Sequence, residues 1–224
     1  MPSEHQWPNI NVRCLIAANA LASLCFIASF ILGSNLAQAS QSRVVTSLLE
    51  LRQQNVAAQE WDLSCGAAAL TTVLNHQHDD PVSEREVAIG LMGRQEYVDN
   101  PLLVQAREGF SLLDLKRFVE SRGYQGIGLG QLELDGLVQR APVIVPIKTK
   151  GYNHFVIFRG VAGNRVLLAD PAWGNRTMRR SRFLDAWIDY PKLGHIGFIV
   201  ALASGEQAEP YRLAPRESEF LFLR

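Results

Sequence analysis

Cys65 has the surroundings that best suit covalent chemistry. It lies in Trp61-Asp62-Leu63-Ser64-Cys65-Gly66-Ala67-Ala68-Ala69-Leu70, whose alanines and leucines favour a helix. Ser64 is placed to cap that helix, which puts Cys65 at the first helical position. A thiol is a poor nucleophile until it loses its proton. The positive end of a helix and a nearby imidazolium both favour the thiolate. Backbone N–H groups at a helix start can also hydrogen-bond a developing oxyanion, and Gly66 leaves room for a substrate to approach the backbone. Gln59, in the loop entering the helix, can add a second oxyanion donor through its side-chain amide. Taken alone it reads as a solvated loop residue.

A thiolate nucleophile needs a base. Beyond residue 40 the histidines are His76, His78, His154 and His195. His76-Gln77-His78-Asp79-Asp80 is a polar stretch at a helix end and reads as a solvated terminus rather than a metal site. His195 begins the last strand with no obvious acidic partner. His154 opens the strand Phe155-Val156-Ile157-Phe158, where a strand-end imidazole can face a cleft. A satisfied histidine at a strand edge is the competing reading. A turn near Ala162-Gly163-Asn164 makes paired residue numbers total about 324–326, which sets position 154 opposite about 170–172. Asp170 stands at one end of that range. A carboxylate there holds the imidazole in one tautomer and stabilises its charged form. A one-residue slip sends the side chain to the other face. Asp170-Pro171 also reads as a strand-ending turn.

The elements that must position these residues fall into two halves. Helices are predicted from Cys65 to about His76–Asp80, over about 83–93 behind the capping pattern Ser83-Glu84-Arg85-Glu86, from Ser111 to Gly123, and over Leu134–Arg140. Short β-branched runs follow at 143–147, 154–158, 165–169 and 196–201, with a short helix over Phe183–Ile188. Helices first and strands second is an α+β arrangement. Residues 40–54 read as an amphipathic lead-in, 55–204 as the domain, and 205–224 as a tail of mixed composition.

The first 39 residues stand apart. Met1–Arg13 is polar, Cys14–Leu32 is almost wholly apolar, and Ala37-Gln38-Ala39 offers small residues to a signal peptidase. This predicts a secretory signal cleaved after Ala39 and a periplasmic domain. The competing reading is an uncleaved inner-membrane anchor, since the apolar run is close to the ~20 residues that span a bilayer. Removal of the segment takes Cys14 and Cys25 with it and leaves Cys65 as a lone thiol in an oxidising compartment. A lone cysteine otherwise reads as a small buried hydrophobe.

Lys+Arg and Asp+Glu balance at 22 each and no long basic run occurs, which argues against nucleic acid as the main partner. No Walker A sequence is present, and no residues call for a metal or nucleotide cofactor.

Gln59-x5-Cys65-Gly66-x-Ala68, Asn153-His154-Phe155-Val156-Ile157 and Asp170-Pro171-Ala172-x-Gly174, in that order, resemble the C39 peptidase family. The Ser111-Leu112-Leu113-Asp114-Leu115 helix before Gly123-Tyr124 is similar too. The likeness covers roughly residues 55–200. It implies a papain-like fold of N-terminal helices packed on a C-terminal antiparallel sheet. It also implies a cysteine peptidase with Cys65 as nucleophile, His154 as base and acid, Asp170 as orienting carboxylate and Gln59 as oxyanion donor. Many members place Asp directly before the cysteine; here Ser64 stands there. The chain resembles stand-alone exported members, some of which accompany functional-amyloid secretion systems. The partner implied is a secreted protein or peptide substrate, with secretion-system components beside it. The alternatives are a catalytically inactive substrate-binding module and a cell-wall amidase of the NlpC/P60 type.

Overall fold

The computed structural model describes residues 46–93, 100, 102 and 109–223. The expected signal, residues 1–39, lies outside them. The described residues fall within one compact unit, Thr46–Arg224.

The helices start where short polar side chains satisfy the free N–H groups of the first turn. In α1 (Leu48–Gln53) Ser47 and Glu50 cap each other reciprocally. α2 (Cys65–Gln77) is buried along nearly all its length, as its run of small and apolar residues requires. α3 (Glu84–Met92) begins with Ser83 accepting from the Glu86 N–H. α4 (Leu112–Ser121) begins with a full capping box between Ser111 and Asp114.

Then the chain switches to strands: β1 (Gln125–Leu129), β2 (Val143–Thr149), β3 (Tyr152–Ala162), β4 (Arg165–Asp170), β5 (Gly174–Arg179), the short ribbon β6 (Asp189–Tyr190) and β7 (Gly194–His195), and β8 (Gly197–Ala201). The main sheet has the order β1-β8-β2-β3-β4-β5 and is antiparallel throughout. Helices α2–α4 cover one face, where Leu70, Leu74 and Leu115 meet Ile144, Ile157 and Phe198. Helices α5 (Leu134–Arg140) and α6 (Arg180–Ala186) cover the other, where Leu137 and Phe183 meet Val145, Val156 and Phe158. Cover on both faces is why Val143–Ile147 is apolar without alternation.

Two strands of the main sheet, β1 and β5, were not expected from sequence, nor was the short β6–β7 ribbon. β1 carries Gly126 and Gly128 among five residues, and β5 reads Gly-Asn-Arg-Thr-Met-Arg, so neither has strand propensity. Both lie at sheet edges and take their conformation from a neighbour, β8 and β4.

The β3–β4 register also departs from expectation. Ala162 pairs with Arg165 and Val161 with Val166, a constant total of 327; Phe158 with Leu168 and Ile157 with Ala169 total 326. Arg159 is the extra residue, and the ladder shifts by one there. His154 and Asp170 are therefore diagonal neighbours across the two strands, not directly opposed. The bulge has a consequence for facing. Without it, Asp170 would share a face with Phe155 and Ile157; with it, Asp170 shares a face with His154 and Val156.

The C-terminal tail secures that bulge. After a 3-10 turn (Tyr211–Leu213), α7 (Glu217–Phe222) brings Glu219 against the buried Arg159, 2.6 Å between Oε1 and Nη1. Arg159 also donates to the Leu213 and Ala214 carbonyls and to Asn175 Oδ1. Asn175 in turn donates to the Leu51 and Gln54 carbonyls, which ties α1 to the same network.

Candidate active site

Cys65 is the first residue of α2 and is 7% exposed. Close packing brings it to β3. A Cβ on Gly66 would lie 3.3 Å from the Phe155 ring, so glycine lets helix and strand approach. The space at Gly66 is thus taken by Phe155 rather than left for substrate, a correction to the sequence reading. The Phe155 N–H donates to the thiol sulfur at 3.5 Å.

Ser64 flanks the helix as expected but makes no capping bond. Its hydroxyl is engaged by the Trp61 carbonyl at 2.7 Å and by the Glu84 carboxyl. Glu84, 5% exposed at the start of α3, also accepts from the Glu60 N–H at 3.0 Å. Burial raises its pKa, and the bonds from Ser64 and Glu60 work against that. Glu84 therefore braces the loop that delivers Cys65. Sequence reasoning missed it because an acid next to a serine cap looks like an ordinary first-turn helix residue.

His154 is 3% exposed and Asp170 is fully buried. His154 Nε2 lies 2.8 Å from Asp170 Oδ1. Asp170 is held on two further sides: its Oδ1 accepts from the Ala172 N–H at 2.9 Å and its Oδ2 from Arg176 Nε at 2.8 Å. The turn Pro171–Gly174 makes the Ala172 bond possible. Gly174 sits at φ +75°, where a Cβ would stand 2.4 Å from the Arg52 carbonyl, so only glycine fits. Burial alone would depress the His154 imidazole. The hydrogen bond to Asp170, then the hydrogen bond and charge of Cys65, outweigh it and raise it to about 9. Burial likewise pushes Asp170 up, but the bond and charge of His154, with Arg176 and the Ala172 N–H, hold it below the usual carboxylate range. An imidazolium is thus favoured between a carboxylate and a thiol.

Cys65 and His154 line a cleft of about 390 Å³. Its other walls are largely apolar, among them Phe110, Leu112, Leu193 and Ile196. Gln59 is latched beside the Pro171–Gly174 turn, its backbone N–H donating to the Pro171 carbonyl at 3.0 Å. Its side chain does not line the cleft. Its amide makes a long 3.5 Å contact to the Trp61 carbonyl, and its Oε1 is buried without a hydrogen-bond partner. The structure thus brings Cys65, His154 and Asp170 together and leaves the Gln59 carboxamide outside the cleft, its amide turned to the Trp61 carbonyl.

The other histidines have structural surroundings. His195 stacks on Trp187, 4.4 Å between ring centroids. His78 packs edge-on to Tyr124, and burial lowers its pKa. The His76–Asp80 stretch is therefore partly packed, not the freely solvated terminus expected, because Tyr124 lies against His78 and the tail accepts from Gln77 at the Ala208 carbonyl.

The family model for the peptidase C39 family matches residues 53–191. The chain is 36% identical over 144 residues to the probable functional amyloid protease FapD of Pseudomonas aeruginosa, covering 64% of this chain and 61% of that one. It is 34% identical over 180 residues to the probable functional amyloid protease FapD of Pseudomonas fluorescens, covering 79% and 76%. The match thus spans less than two thirds of the P. aeruginosa relative. Among solved structures, a double glycine motif protease from an AMS/PCAT transporter, in complex with the leader peptide, superposes with a TM-score of 0.52 at 22% identity, covering 67% of this chain and 95% of that one. The peptidase domain of Streptococcus ComA gives 0.51 at 17% identity, covering 66% and 97%. These likenesses show the fold, an α+β papain-like arrangement. With more than half of its length matched and its cleft on that fold, the chain belongs to the peptidase C39 family, whose members are cysteine peptidases.

Proposed function

We propose that this chain is an exported cysteine endopeptidase that processes a secreted partner protein, such as an amyloid subunit or a secretion component. The observation that carries the reading is the buried His154–Asp170 hydrogen bond of 2.8 Å beside the Cys65 thiol at a helix start. Asp170 engages Nε2, which leaves Nδ1 for the thiol. The Cys65 sulfur attacks the peptide carbonyl carbon, and the oxyanion draws on N–H groups at the start of α2. His154 passes the thiol proton to the leaving amine, and the peptide bond breaks to a thioester. His154 then takes a proton from water, which hydrolyses the thioester and frees Cys65. Gln59 serves as a second oxyanion donor if its amide swings toward Cys65. The amyloid assignment is supported by the names of the two Pseudomonas relatives. A peptide substrate is supported by the leader-peptide complex of the transporter protease. Export to the periplasm, with or without a retained anchor, rests on residues 1–39 of the sequence.

Cys65→Ala in the producing cell tests the reading, followed by the size of the secreted protein encoded beside this chain. A folded variant that leaves that protein trimmed as before would sink the proposal. A chain that holds substrate without cutting it is the second reading, favoured by the Gln59 amide pointing to the Trp61 carbonyl rather than into the cleft. Alkylation of Cys65 by iodoacetamide separates the two. Catalysis requires that labelling be fast and depend on His154; labelling that is slow and indifferent to His154→Ala supports the binding module.

A further inference from the structure

A second hollow, of about 340 Å³, lies beyond the triad. Arg52 from α1, Lys150 from the β2–β3 turn and Arg176 from β5 converge on it, with Trp173 in its wall. Lys150 Nζ stands 4.9 Å from the centre of the Trp173 ring, a cation–π contact that places the ammonium. Arg176 is fixed by its bond to Asp170. A neighbouring hollow of about 440 Å³ shares Arg176 and adds Arg165, Arg179 and Arg182. No aspartate or glutamate among the described residues lines either hollow. The whole chain carries 22 basic and 22 acidic residues, so cations gathered around two hollows whose walls hold no acid, with Asp170 reaching only Arg176 from the buried side, are a marked segregation of charge. Like charges held together repel until an anion arrives.

The hollow is joined to the cleft by one hairpin. His154 and Tyr152 share a face of β3, with ring centroids 6.0 Å apart, and the exposed Tyr152 leads on to Lys150. At ~3.3 Å per residue, the stretch from His154 to Lys150 spans roughly 10–13 Å. An extended peptide seated on Cys65 would reach that far with a side chain three or four residues from its scissile bond.

We propose that this hollow is an exosite for an acidic segment of the peptide substrate, three to four residues from the bond that is cut; the substrate part of the proposal rests on the proteolytic reading above. Guanidinium forks and an ammonium suit carboxylates, and the Trp173 face suits the aliphatic stem of a glutamate. An anionic membrane fits less well, because the cations line concave hollows rather than a flat or convex face.

Binding is tested without catalysis, on the full chain carrying Cys65→Ala. Fluorescein-labelled hexaglutamate and hexaglutamine peptides are titrated by anisotropy. Hexaglutamate binds at least about tenfold tighter, the preference falls as salt rises, and R52E/K150E abolishes it. Equal binding of the two peptides, or an affinity untouched by R52E/K150E, overturns the exosite. So does Arg52- and Lys150-dependent binding of phosphatidylglycerol vesicles with none of hexaglutamate. Cleavage of a peptide library by the chain with Cys65 intact then tests the substrate assignment: glutamate three or four residues from the bond lowers KM about tenfold with kcat unchanged. Turnover indifferent to glutamate there overturns that assignment, whereas absent turnover with intact hexaglutamate binding strikes the proteolytic reading and leaves the anion site standing.

Discussion

Replacing Glu219 by glutamine should unsettle the active site from a distance. Arg159 and Glu219 are 1% and 0% exposed. Removing the carboxylate charge leaves a guanidinium buried with only neutral acceptors: two carbonyls and the Asn175 amide. Breaking a buried pair from one side costs about 3–5 kcal/mol, a large share of a typical total of about 5–15 kcal/mol. For a domain of this size that lowers the melting temperature by roughly 6–20 °C. The loss also has a place. Arg159 is the bulge residue, and the bulge sets Asp170 on the face of His154. Relaxation of the bulge therefore weakens the His154–Asp170 bond, and the His154 titration should move down from about 9 toward 6.5. Calorimetry and NMR titration of the imidazole read the two effects separately. Replacing both partners with apolar residues, R159M/E219L, removes the stranded charge but leaves the Leu213 and Ala214 carbonyls and Asn175 Oδ1 without their donor, so it should recover only part of the stability. A Glu219→Gln chain that melts within about 2 °C of the parent, with His154 titrating as before, would refute the link between tail, bulge and triad.

Three further outcomes follow from the site. His154 is raised from 6.5 to about 9, so its contribution, about 3 kcal/mol, is fully present below pH 6.5 and is lost as pH rises through 9. Asp170→Asn should bring that loss, and the alkaline limb of Cys65 alkylation, to lower pH; an unchanged limb in both urea melts and alkylation profiles would count against the pair. Glu84→Ala strands the Glu60 N–H and removes the Ser64 partner, so it should cost about 1–3 kcal/mol in urea unfolding and slow Cys65 alkylation; a neutral melt argues that the brace is idle. Arg176→Gln takes a charge-assisted bond from Asp170 and should lower kcat about tenfold, beside any rise in KM for acidic substrates; an unchanged kcat would confine Arg176 to the anion hollow.

Much of this protein was legible in its residues. Ser83 and Ser111, with their partners three residues on at Glu86 and Asp114, mark helix starts by local hydrogen bonding alone. The small and apolar residues after Cys65 specify a buried helix, and the β-branched runs specify strands buried on both faces. The turn after Asp170 is legible because Pro171 cannot continue a strand, and the structure adds why glycine stands at 174.

Other features were decided only in three dimensions. β1 and β5 become strands because β8 and β4 offer them hydrogen bonds, against their own propensity. The tail has no periodicity of its own, and it docks through Glu219 on a cation 60 residues away in sequence. Glu84 braces the Cys65 loop through contacts that exist only once α3 packs on α2. Above all, turn chemistry alone left the β3–β4 register open by a residue or two, and a single residue changes which face Asp170 takes. The sequence by itself determined that a cysteine, a histidine and an aspartate stand at the ends of a helix and two strands. The bulge at Arg159, held by a buried ion pair, decided that His154 and Asp170 meet, because side-chain direction in a strand alternates with every residue.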